Sequence, residues 1–67
     1  MTQDGLRKIV LFLHDELGMA YTFIGKKCNL SGSMINFFAK GDRNLSEESI
    51  KNLIKFIENI RKEVEKL

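Results

Sequence analysis

The sequence predicts an all-α domain of four helices, the last of them long. Three observations lead there. Apolar residues recur at helical spacing in four separate stretches. Proline is absent, so nothing breaks those stretches from within. Residues that start and stop helices stand at their ends, Ser or Asp ahead and Gly or Asn behind.

The first helix is expected from about Asp4, its N-cap, to Leu17, with Gly18 as the left-handed residue that ends it. Leu6, Ile9, Val10, Leu13 and Leu17 form its core stripe, and Leu11 and Phe12 fall on either flank. The second helix is expected over 20–28, with Phe23, Ile24 and Cys28 inward and Lys26 and Lys27 outward. Asn29 then suits the left-handed turn and Leu30 anchors it. Ser31 caps a third helix over 31–40 that Gly41 ends; Ile35 and Phe38 face the core, while Ser33, Asn36, Phe37 and Lys40 face away. Ser46 caps the fourth, over 47–67, with Leu45 and Ile50 as a hydrophobic staple and Glu47 and Glu48 at the positive end of the dipole. Ile50, Leu53, Ile57, Ile60, Val64 and Leu67 make a heptad seam along it.

Size and composition exclude much. The 67 residues make one domain, and a chain this short buries only about 60% of its unfolded surface, too little to wall an active site. Apolar residues are 43% and charged residues 30%, a globular balance. The longest apolar run, Ile9 to Leu13, is far too short for a membrane span, and Met1 to Asp4 does not read as a signal peptide. One Cys and one His make neither a disulfide nor a zinc site, so Cys28 reads as a small core residue and His14 as a surface residue. No nucleophile–base or paired-carboxylate arrangement and no glycine-rich phosphate loop stands out. The chain is therefore not expected to be an enzyme or to carry a cofactor or metal, and a reducing cytoplasm is its expected compartment.

The net charge of +2 is unevenly placed. Lys26, Lys27, Lys40 and Arg43 face only Asp42 between Ala20 and Leu45, whereas the segment before is slightly acidic and the segment after cancels. An anionic partner is expected to dock on this middle third, although four basic residues also make an ordinary solvated surface.

Two helices joined by a short turn, the second capped by Ser and ended by Gly, make the general helix-turn-helix plan. Leu17-Gly18, Gly25, Asn29, Leu30, Ser31, Ile35 and Gly41-Asp42-Arg43-Asn44 follow one another without a gap. In that order the chain resembles the Cro/phage-repressor (xenobiotic-response-element) type of helix-turn-helix. The resemblance implies a repressor-like four-helix domain whose third helix enters the major groove, with a small residue in helix two for close packing. Three features depart from the pattern. Ala20-Tyr21 stands where relatives have Ser or Thr followed by Gln; Ser31-Gly32-Ser33 is short where relatives carry long polar readers; one long helix follows the loop instead of two short ones.

From the resemblance, the expected base contacts are Ser31, Ser33, Asn36 and Phe37, with Asn36 the one side chain suited to bidentate readout. The expected phosphate contacts are Tyr21, Thr22, Lys26, Lys27, Lys40, Arg43 and Asn44. The expected partner is double-stranded DNA, and the expected function is sequence-specific binding by a bacterial or phage transcriptional regulator. The alternative is a helix-turn-helix scaffold that meets a protein through the Phe37 face, as an adaptor, an inhibitor or the N-terminal domain of a larger receptor. Little in one domain covers Leu11, Phe12, Ile57, Ile60, Val64 and Leu67. A homodimer through them is expected; the alternative is that the long helix folds alongside helix one and covers both sets.

Overall fold

The start of each helix is set by a hydroxyl side chain or by the extended backbone ahead of it. The computed structural model describes residues 2–67; Met1 lies outside the described residues. Four helices run in order: α1 (Gln3–Asp15), α2 (Tyr21–Cys28), α3 (Gly32–Lys40) and α4 (Glu47–Glu65). Ser31 and Ser46 cap α3 and α4 as expected, each hydroxyl oxygen accepting at 3.2 Å from the backbone N–H three residues on. The cap of α1 is Thr2 and not Asp4: its hydroxyl accepts from Gly5 N–H at 3.0 Å. Asp4 lies inside the first turn, where it pairs with Arg7. The helix starts earlier because the Gln3 amide is held across the fold. Its Nε2 donates to the Leu45 carbonyl at 2.9 Å and its Oε1 accepts from Leu45 N–H at 3.1 Å.

Helix ends follow the sequence more closely. Asn29 is left-handed at φ 60°, and Gly18 and Gly41 at 68° and 87°. Gly18 N–H bonds the His14 carbonyl at 3.1 Å and Met19 N–H the Leu13 carbonyl at 3.0 Å, so the left-handed residue closes the end of α1. Regular winding stops at Asp15, two residues before the expected Leu17. Leu17 is consequently off the stripe and 58% exposed instead of in the core.

The core is built from Leu6, Val10 and Leu13 of α1, Ile24 and Cys28 of α2, Ile35, Phe38 and Ala39 of α3, Leu45 of the loop, and Leu53 and Phe56 of α4. Ile35 and Phe38 are fully buried, as the third-helix orientation requires. Helix α2 packs on both α3 and α4, and α1 packs on α3. On α4 one core residue was missed and the C-terminal bound is corrected. Phe56, outside the heptad seam, is buried, because α4 meets α2 with the face that carries Leu53 and Phe56. Val64 is 61% exposed and Leu67 fully so, left uncovered within the domain as expected, while the helix stops at Glu65 instead of 67. Phe23, expected inward, is 45% exposed and meets Phe56 edge to face at a ring separation of 6.0 Å.

Two contacts fix how the helices cross. The first is at Gly25. A Cβ there would lie 2.5 Å from the Leu30 carbonyl oxygen and 3.0 Å from that of Ser31, so α2 touches the backbone of the turn directly. The second is Arg7, whose side chain is only 15% exposed. Its Nε donates to the Phe38 carbonyl at 2.6 Å, and its Nη2 donates to the Arg43 carbonyl at 3.3 Å and the Asn44 Oδ1 at 3.1 Å. Its guanidinium also stands 4.8 Å from the Phe38 ring centre. One cation on α1 thus holds a carbonyl in the last turn of α3 and the loop beyond.

Alanine at position 25 gains up to about 1 kcal/mol in helix propensity but must displace backbone. We expect Gly25→Ala to destabilise by about 1–3 kcal/mol in urea unfolding; a variant as stable as the parent would mean that the close approach is not required. Arg7→Met keeps the stem's packing and removes the donors. It should lose about 1.5–3 kcal/mol in thermal unfolding, and an unchanged melting curve would show the clamp to be idle.

Candidate nucleic-acid interface

The turn between α2 and α3 determines which side chains share a surface. Leu30 N–H bonds the Gly25 carbonyl at 2.8 Å, and the Asn29 N–H shares that acceptor. This knot brings the first turn of α3 against the first turn of α2. A Cβ at Gly32 would stand 2.7 Å from Thr22 Cγ2 and 3.1 Å from Thr22 N. A side chain at position 32 would require the Thr22 methyl to move and the Thr22 backbone to give by a few tenths of an ångström. Packing therefore accounts for glycine at the position where the resemblance implies a reader.

A shallow cleft opens along this seam, lined by His14, Ala20, Tyr21, Thr22, Gly32, Ser33 and Asn36. It gathers four of the residues expected from sequence, Tyr21, Thr22, Ser33 and Asn36. Ala20 precedes α2 and offers no capping side chain, so the N–H groups of the first turn of α2 have no side-chain acceptor. Tyr21 is half-buried. Burial, with a smaller contribution from the Asp15 charge, pushes its phenol above the usual range, so the hydroxyl stays protonated and able to donate. His14 is not the free surface residue expected. Its Nδ1 lies 2.8 Å from the Met19 carbonyl oxygen, and its ring stacks on Tyr21 at 3.8 Å between centroids and 13° between planes.

The remaining expected contacts are distributed around this cleft and away from it. The Ser31 hydroxyl oxygen is engaged as the α3 cap. Phe37 is 41% exposed, and the Arg43 guanidinium stands 5.8 Å from its ring centre. Lys26 and Lys40 are exposed. Asn44 is tied down by Arg7. Lys27 turns to the other side of α2, where its ammonium lies 5.2 Å from the Phe23 ring. There it lines a mostly apolar groove with Phe23, Phe56, Asn59, Ile60, Glu63, Val64 and Leu67.

The residues expected at a dimer contact are divided as well. Ile60, Val64 and Leu67 line that groove. Leu11 and Ile57 are half-buried against the core, and Phe12 is exposed on α1 outside the groove. The long helix therefore does not cover Phe12 from within.

Cys28 is buried, and burial pushes its thiol up, away from the thiolate. Among the described residues, no three His, Cys, Asp or Glu side chains come together to hold a metal, and no helix is long and apolar enough to cross a membrane. What the cleft offers is hydroxyls, one amide, one imidazole and open backbone N–H groups, a set suited to oxygen-rich anions and base edges.

Sequence reading missed Arg7, Gln3, His14 and Gly32 as organising residues. Arg7 carried a signal, a cation between the stripe residues Leu6 and Val10. Nothing in local spacing joins His14 to Tyr21 across the turn between α1 and α2. No protein-family model, no curated protein and no solved structure matches this chain.

Proposed function

We propose that this chain is a sequence-specific DNA-binding domain of a bacterial or phage transcriptional regulator, acting in the cytoplasm as a homodimer. The observation that carries the reading is the α2–α3 pair locked through Gly25, with Asn36, Ser33, Tyr21 and Thr22 opening onto one cleft. In this reading α3 enters the major groove. Asn36 takes adenine with its amide, and Phe37 covers a thymine methyl. Tyr21, Thr22 and the open N–H groups of α2 hold one phosphate, and Lys26, Lys40 and Arg43 hold others.

Magnitudes support two copies. One bidentate amide supplies about 1–3 kcal/mol of discrimination, and the hydroxyl of Ser33 adds little. Specific sites are typically favoured over non-specific DNA by about 4–10 kcal/mol. A two-fold dimer doubles every readout and spaces the recognition helices about one turn apart. The α2–α4 groove suits a second copy, because Val64 and Leu67 are uncovered and its rim carries both Lys27 and Glu63. That rim is self-complementary across a two-fold axis.

Exposed Phe37 under Arg43 favours a second reading, in which the same face anchors a protein partner. Electrophoretic titration on duplex DNA at about 50 and about 200 mM salt separates the two. On DNA, Lys40→Ala and Arg43→Ala should weaken binding to all sequences alike, each flattening the salt slope by about one unit. Asn36→Ala should lose about 1–3 kcal/mol at one base pair per half-site and nothing on random DNA. Absence of binding at the lower salt rejects DNA in favour of a protein partner.

For the dimer, sedimentation equilibrium at tens of micromolar is expected to give twice the mass of the chain. Val64→Glu, at an exposed position, should return it to a monomer with its helix content intact. A parent chain that is already monomeric rejects the dimer.

A further inference from the structure

His14 is the chain's one histidine, and two contacts fix its ring. A carbonyl oxygen only accepts, so the 2.8 Å contact with Met19 places the proton of the neutral ring on Nδ1. The face is covered by Tyr21. Nε2 is the nitrogen left over, and the ring that carries it lines the cleft beside Thr22, Ser33 and Asn36. In the neutral ring Nε2 presents a lone pair, which repels phosphate oxygens. Protonation converts it to a charged donor without disturbing the bond from Nδ1.

Few charged groups surround the ring. Asp15 and Glu16 are the charged groups that follow it on α1; Tyr21 of α2 stays a neutral phenol; Gly32, Ser33 and Asn36 of α3 carry no charge. Imidazole changes charge between about pH 5 and 8, a range in which ordinary carboxylates stay ionised.

We propose that His14 is a phosphate-binding residue of the cleft, and that its protonation tightens the hold on a phosphodiester of the DNA backbone. This rests on the DNA-binding reading and adds to it a contact on α1 and a dependence on pH. The sign follows from linkage. DNA that binds the imidazolium better raises the titration midpoint of His14, and affinity rises as pH falls through it.

The single histidine makes the test direct. The imidazole proton resonances of the intact protein are followed from about pH 5 to 8 by NMR: alone, with a short random-sequence duplex, and with inorganic phosphate at equal phosphorus. The duplex is expected to raise the midpoint, with roughly three- to tenfold tighter binding at about pH 5.5 than at about pH 7.5. The salt slope should be steeper by about 0.9 at the lower pH. His14→Gln, whose amide can still donate to Met19, should bind at the higher pH and lose the pH dependence. If the duplex binds but the midpoint stays put and His14→Gln keeps the same pH profile, the inference falls while the DNA reading stands. An equal shift with inorganic phosphate reassigns the cleft to a free anion and also overturns it. Absence of duplex binding at every pH and at low salt removes both.

Discussion

The domain depends first on a contact between one residue with no side chain and a carbonyl. Gly25 lets α2 lie directly on the Leu30 and Ser31 backbone, closer than any Cβ allows. Its own carbonyl takes two N–H groups of the turn, from Asn29 and Leu30. Backbone is the stiffest material in the fold, so a contact between backbones sets an angle where side chains would set only a range. Everything downstream inherits it. Ser31 is positioned to cap α3, Gly32 meets Thr22, and the starts of α2 and α3 come together as one cleft.

A second restraint acts at the far end of α3. Helix α1 contributes apolar packing through Leu6, Val10 and Leu13, but it also sends two polar side chains to distant backbone. Gln3 holds Leu45 and Arg7 holds Phe38, Arg43 and Asn44. The loop between α3 and α4 has no regular structure, and these bonds replace the ladder it lacks. A domain of this size has little apolar area to order a loop by burial, so charge-assisted bonds to carbonyls supply the rigidity. The Arg43 side chain is then delivered over Phe37 by a main chain that is itself held.

Where the answer lay within a turn or two of chain, it was legible in the sequence. Ser31, Ser46, Asn29, Gly18 and Gly41 do their work through neighbours three or four residues away, and all five stand in the expected roles. So do Ile35 and Phe38, whose spacing marks a face. Periodicity reports which residues share a face but not how far the opposing element extends. That is why Leu17 read as core and is exposed, and why Phe56, one position from Ile57, is buried. Phe23 read as inward, whereas its ring is half exposed, packed edge to face with Phe56 and faced by the Lys27 ammonium. The site was half legible: Tyr21, Thr22, Ser33 and Asn36 share the cleft, but Lys27 and Asn44 are drawn to other partners. Such competition among partners is tertiary and leaves no local trace.

The short residues at the start of α3 follow from the same geometry. With Gly32 pressed on Thr22 and the Ser31 oxygen given to its cap, the first turn of α3 is occupied by its own packing. In the proposed DNA-binding reading, recognition then falls one turn later, on Asn36 and Phe37, and sideways on the Tyr21–His14 stack on the other wall of the cleft. On that proposal the surface would carry little base information per copy and much of its affinity in phosphate contacts, which are sensitive to salt and, through an imidazole, to pH. The proposed dimer would then supply discrimination by repetition. In a two-fold assembly each weak reader counts twice, and the spacing of the two copies becomes information in its own right.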